Sequence, residues 1–71
     1  MIKKAVDLEP FRDWVWYSGL DRVVCRNDET PDGKRSIMLT DPFLNVFTTT
    51  VSPDYPFMVT DDYPVTIVGW P

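Results

Sequence analysis

At 71 residues the chain has room for one domain, spanning 1–71, and no second. Its single cysteine, Cys25, excludes an internal disulfide, and the absence of histidine removes the imidazole ligands that a structural zinc site draws on. The net charge of −4 sits wholly in residues 36–71, where Asp41, Asp54, Asp61 and Asp62 face no lysine or arginine, so the clustered cations that nucleic-acid binding needs are missing there.

A domain this small buries only about 60% of the surface its unfolded chain exposes. Without disulfide or metal it must rely on packing or association. The ten aromatic residues supply large burial per residue for that purpose. No stretch is apolar for long enough to span a bilayer. The opening Met1-Ile2-Lys3-Lys4-Ala5-Val6-Asp7 is too briefly apolar for an export signal. With a free thiol, the expected setting is reducing, intracellular and cytoplasmic.

The first predicted element is a short strand over 2–6, able to pair at a sheet edge. A helix over about residues 8–18 comes next. Asp7 suits an N-cap, Pro10 is tolerated in a first turn, and Leu8, Phe11 and Val15 recur at helical spacing before Gly19 as a stop. The rival reading is a strand through Trp14-Val15-Trp16-Tyr17, whose residue types favour extended backbone.

The best-specified element is a hairpin. In Thr30-Pro31-Asp32-Gly33-Lys34, Pro presets the first central dihedral, Asp suits the second and Gly accepts the left-handed position. Pairing Thr30 with Lys34 sets Glu29 opposite Arg35, a favourable charge pair, and Cys25 opposite Leu39. Val23, Cys25, Ile37 and Leu39 then share an apolar face, with Arg26, Asp28, Ser36 and Thr40 on a polar one. Further strands are predicted over 44–51 and 65–70, and a weaker one over 57–60. Pro31, Pro42, Pro53 and Pro64 recur every 11 residues, each after a turn-prone or strand-ending residue. Turn signals at that interval mark an antiparallel β architecture. The expected fold is α+β and β-rich: an antiparallel sheet of four or five strands with one N-terminal helix. A small all-β barrel is the alternative.

Candidate chemistry is sparse. Without histidine the commonest general base is absent, and Cys25 has no imidazole to activate it. The predicted register places its thiol inward, where thiols are inert. Asp28-Glu29 and Asp61-Asp62 are adjacent acids, and neighbours in extended chain point to opposite faces rather than converging on a substrate. The acidic stretch 27–33 lacks the ligand spacing and final glutamate of a calcium loop. No catalytic, cofactor or metal residues are assigned.

The aromatic residues carry the expectation of binding. Trp14, Trp16 and Tyr17 lie within four residues, and neither helix nor strand can bury all three on one face. At least one is expected at the surface, where Trp and Tyr serve as interface anchors. A second group, Tyr55, Phe57, Tyr63 and Trp70, is interleaved with Asp54, Asp61 and Asp62 on proline-stiffened loops. It suits a basic protein partner. The reading is a non-enzymatic protein-binding module, an inhibitor or adaptor of a larger protein. Its composition is like that of small phage-encoded regulators. The alternative is a small structural subunit of a virion or other assembly. Self-association is a further option.

Overall fold

The structure is a computed structural model that describes residues 1–60. The predicted strand over 65–70 lies outside them.

Among the described residues six strands form one open antiparallel sheet: β1 (Ile2–Lys4), β2 (Trp14–Tyr17), β3 (Leu20–Glu29), β4 (Arg35–Thr40), β5 (Val46–Val51) and β6 (Pro56–Thr60). Their order is β1-β6-β2-β3-β4-β5. Strands β2 to β5 are a meander, and β6 returns to lie between the two N-terminal strands. The β-rich expectation holds. The strand count exceeds the four or five expected, and the N-terminal helix is absent. In its place stands a single 3₁₀ turn at Ala5–Asp7, so Asp7 caps no helix. One further helical turn forms where the Asp13 N–H reaches the Glu9 carbonyl at 3.1 Å, and it goes no further.

Packing explains why strand wins at Trp14–Tyr17. Strands β3 and β6 flank β2 and satisfy its backbone on both sides. Trp14 and Val15 are buried there. Burying such side chains contributes roughly 2 kcal/mol each, against at most about 0.7 kcal/mol per residue of helix preference. Gly19 ends no helix. Tyr17 pairs with Leu20 across a two-residue loop in which Ser18 and Gly19 have φ of 52° and 82°. That is the double left-handed turn whose twist matches a hairpin.

The hairpin at 30–34 forms as the sequence predicts. Thr30 N–H meets the Lys34 carbonyl at 2.8 Å, Gly33 N–H meets the Thr30 carbonyl at 3.0 Å, and Gly33 has φ of 83°. Glu29 lies opposite Arg35, and the register runs on through Arg26 opposite Met38. It then slips at a bulge between Val24 and Arg26. Val24, not Cys25, therefore faces Leu39. Cys25 and Val23 turn to the other face beside Trp14, and the half-buried Cys25 thiol lies 2.9 Å from the Thr40 hydroxyl. The bulge lets Val24 join the core while Trp14 and Val23 form a second cluster behind the sheet.

The sheet curls. Tyr17 on β2 meets β5 although two strands lie between them: its ring is 5.6 Å from Phe47 and its hydroxyl 3.2 Å from that of Thr49. The concave side holds the main core of Val15, Val24, Ile37, Leu39, Phe57 and Val59, closed at one end by Ala5 and Leu8. Polar groups fasten that closing segment. The Asn27 amide donates to the carbonyls of Ala5 and Leu8 at 2.8 and 2.9 Å. Asp13 accepts from the Glu9 N–H at 2.7 Å and pairs with Lys3 at 3.0 Å. No helix among the described residues is long and apolar enough to cross a membrane.

Candidate functional site

The convex side of the sheet shows what the curl leaves outside. In a strand, side chains alternate between faces, so those directly opposite across a pair share a face. Ile2 lies opposite Met58, Met58 opposite Trp16, and Trp16 opposite Asp21. Four neighbouring strands, β1, β6, β2 and β3, thus contribute one residue each to a single row. Its apolar members are open to solvent: Ile2 is 69% exposed, Met58 60% and Trp16 54%. Met1 lies at the end of β1 beside the row. Its carbonyl accepts the Val59 N–H at 2.7 Å, and its amino group donates to the Val59 carbonyl at 3.3 Å, which pins the first residue to β6.

An open groove of about 300 Å³ runs along this row, lined by Met1, Trp16, Asp21, Met58, Val59 and Thr60. Its chemistry is mixed. Two methionines supply soft, adaptable apolar contact. The Trp16 indole offers a broad face for an apolar or cationic group. Asp21, half-buried beside it, is the single charged side chain of the lining.

The structure separates the other residues that the sequence marks for binding. Trp14 and Phe57 are core residues, and Tyr17 is half-buried between Phe47 and Phe57. Tyr55 is 42% exposed, its ring 5.1 Å from that of Phe57 and its carbonyl accepting the Ala5 N–H at 2.9 Å. Asp54 is exposed, 3.6 Å from Lys4. Trp16 and Tyr55 are not brought together. Asp61, Asp62, Tyr63 and Trp70 lie outside the described residues. Among the described residues no group of three acidic or cysteine side chains is placed to hold a metal ion.

Compared with known proteins, the chain matches no family model, no curated protein and no solved structure.

Sequence reasoning missed Met1, Ile2 and Met58 because they meet Trp16 through pairings distant in sequence, and Asp21 because a helix over 8–18 hides the hairpin that sets it opposite Trp16. The proline interval marks a turn at Pro42, and the structure has one at 41–45, but its bracing was not foreseen. There the buried Asp41 carboxylate accepts the N–H groups of Phe43 and Asn45 at 2.8 and 2.9 Å and the Asn45 side-chain amide at 3.0 Å. The Asn45 N–H, first among these donors, holds the Asp41 carboxyl below its ordinary value of 3.8. This bracing presents Phe43, 78% exposed, and Leu44, 52% exposed, at the tip. Leu44 has φ of 65°, a left-handed conformation that asparagine, aspartate or glycine adopts more readily.

Proposed function

We propose that this chain is a non-enzymatic protein-binding module, an inhibitor or adaptor that docks on a larger protein through the Trp16 row. The observation that carries the reading is the register: an exposed tryptophan flanked by Met58 and Ile2 on one side and by Asp21 on the other. An apolar anchor beside one carboxylate suits a partner that presents a lysine or arginine within an apolar surround. The acidic balance of the chain supports a partner of basic character and speeds its approach. The rigid sheet beneath the row lowers the ordering lost on binding.

The test is affinity capture with the tagged full chain, identified by mass spectrometry, run in parallel for wild type, Trp16→Ala and Asp21→Asn. Trp16→Ala is expected to weaken binding of the captured partner by at least about 2 kcal/mol, near thirtyfold. Asp21→Asn should weaken it less, and its effect should shrink at high salt. Unchanged melting of both variants separates binding from folding. A partner retained equally by Trp16→Ala ends this reading.

A second reading, a subunit of a larger assembly, draws on a different observation. Among the described residues β5 ends the sheet with no neighbour on its outer side, and a bare edge is a template for another strand.

A further inference from the structure

Among the described residues the two edges of the sheet are built differently. Edge β1 has three residues, two of them lysines, which is how edges are blunted against pairing. Edge β5 is Val46-Phe47-Thr48-Thr49-Thr50-Val51: six residues of high strand preference, without charge, glycine or proline. Its backbone geometry is set by the turn before it. Asp41 N–H bonds the Asn45 carbonyl at 3.1 Å, so that pair is a bonded one. Antiparallel pairs alternate between bonded and non-bonded. Phe47, Thr49 and Val51 therefore give their N–H and C=O groups to β4, and Val46, Thr48 and Thr50 turn theirs outward.

We propose that the chain forms a two-fold dimer by antiparallel pairing of β5 with β5 of a second copy, centred on Thr48. The outward groups are self-complementary in that register. Thr48 exchanges both bonds with its own counterpart, and Val46 exchanges both with Thr50. Phe47 then lies opposite Thr49, so the partner covers a ring that is 40% exposed in the single chain. Because paired positions have the same parity, the concave faces of both copies fall on the same side of one continuous sheet. No charged side chains meet along the seam. The acids nearest in sequence, Asp41 and Asp54, lie beyond its ends.

The same register explains the tip at 43–44. It carries Phe43 and Leu44 of one copy alongside Ser52 and Pro53 of the other, which gives those exposed apolar side chains a surface to cover. The contact closes on itself, since each copy uses the same edge. A strand edge of this length belongs to the small interface class, below about 1,200 Å² in total, so association should be reversible and set in as the concentration rises through about 10–100 µM. The dimer does not depend on the Trp16 row, which ends at Asp21 on β3 and is separated from β5 by β4.

Analytical ultracentrifugation of the full chain tests this. Wild type should pass from the 8.3 kDa monomer to a discrete dimer and stop there. Thr48 is exposed, so Thr48→Lys and Thr48→Glu should leave folding unchanged by circular dichroism. Each alone sets like charges face to face on the two-fold and should raise the dissociation constant at least about tenfold. Mixing the two should restore a mixed dimer, a rescue that a fold defect would not give. Trp16→Ala should dimerise as wild type does. A chain that stays monomeric to about 1 mM, far above that expected range, overturns the proposal. So does a dimer indifferent to both Thr48 changes. Growth past the dimer overturns the closed contact and favours the assembly reading. A monomer whose Val46, Thr48 and Thr50 amides resist hydrogen exchange would place another strand on the edge and equally overturn it.

Discussion

The turns at 30–34 and 41–45 are the same device used twice. Both place proline second. In both, the first residue's N–H reaches the fifth residue's carbonyl, at 2.8 Å from Thr30 and 3.1 Å from Asp41. In both, its carbonyl accepts from the fourth residue, at 3.0 Å from Gly33 and 3.1 Å from Leu44. In both, its side chain accepts the N–H of the fifth residue, at 2.9 Å from Lys34 and from Asn45. They differ at every place but the second, and the first and fourth set them apart most. Thr30 is half-buried where Asp41 is buried, and Gly33 stands at φ 83° where Leu44 stands at 65°. The first turn is built only to close a hairpin. The second keeps an apolar side chain in a conformation that favours glycine, and braces it with a stronger acceptor. A turn so arranged holds a side chain out for contact.

A set of substitutions presses on that contrast. The largest effect is expected at the brace. Asp41→Ala removes three accepted bonds at once and should lower the melting temperature more than Thr30→Ala or either change below, as differential scanning calorimetry would show. The same carboxyl gives the effect a pH signature. Because its folded-state value is depressed, the stability it contributes is present above its ordinary value of 3.8 and is lost as pH falls through the folded value. Asp41→Asn should therefore unfold more readily at pH 7 yet lose less stability than wild type on acidification. If both lose the same amount on acidification, the carboxylate is not the brace.

Next comes Gly33→Leu, which copies the second turn's residue into the first. A Cβ there meets nothing within 4 Å, so the whole loss is backbone conformation. About 1–2 kcal/mol is expected from chemical denaturation, and no loss would mean that the two turns do not share a geometry. The smallest effect on folding belongs to Leu44→Gly. Relief of about 1 kcal/mol of left-handed strain is offset by the greater freedom that glycine gives the unfolded chain, about 0.4–1 kcal/mol. Stability should hold within about 0.5 kcal/mol while dimerisation weakens. A large gain in stability with unchanged dimerisation would make Leu44 a plain imperfection.

The first turn was legible because its information is local: proline, aspartate and glycine in consecutive places fix the dihedrals, and the register holds from there as far as Arg26. The proline interval was legible for the same reason, since Pro31, Pro42 and Pro53 each come after the residue whose carbonyl closes a turn. The register failed at Cys25 because a bulge answers to Trp14 and Val23 behind the sheet, and nothing adjacent in sequence announces them. The helix over 8–18 failed because Leu8, Phe11 and Val15 fall at helical spacing by coincidence. Leu8 closes the core, Phe11 is largely exposed at φ 60°, and Val15 belongs to a strand held on both sides. For the surface, alternation alone required one of Trp14, Trp16 and Tyr17 to be exposed, and Trp16 is. Its companions Ile2 and Met58 come from strands more than fifty residues apart, beyond the reach of pattern.

The position of β6 between β1 and β2 has a consequence for biosynthesis. Strands β2 to β5 join neighbour to neighbour and can assemble as they leave the ribosome. The first strand has no partner until residues 56–58 arrive, so it is made before β2 to β5 and placed after them. Until then the growing chain carries Met1 and Ile2 unpaired beside an unfinished sheet, and the groove below Trp16 does not exist before β6 has been translated.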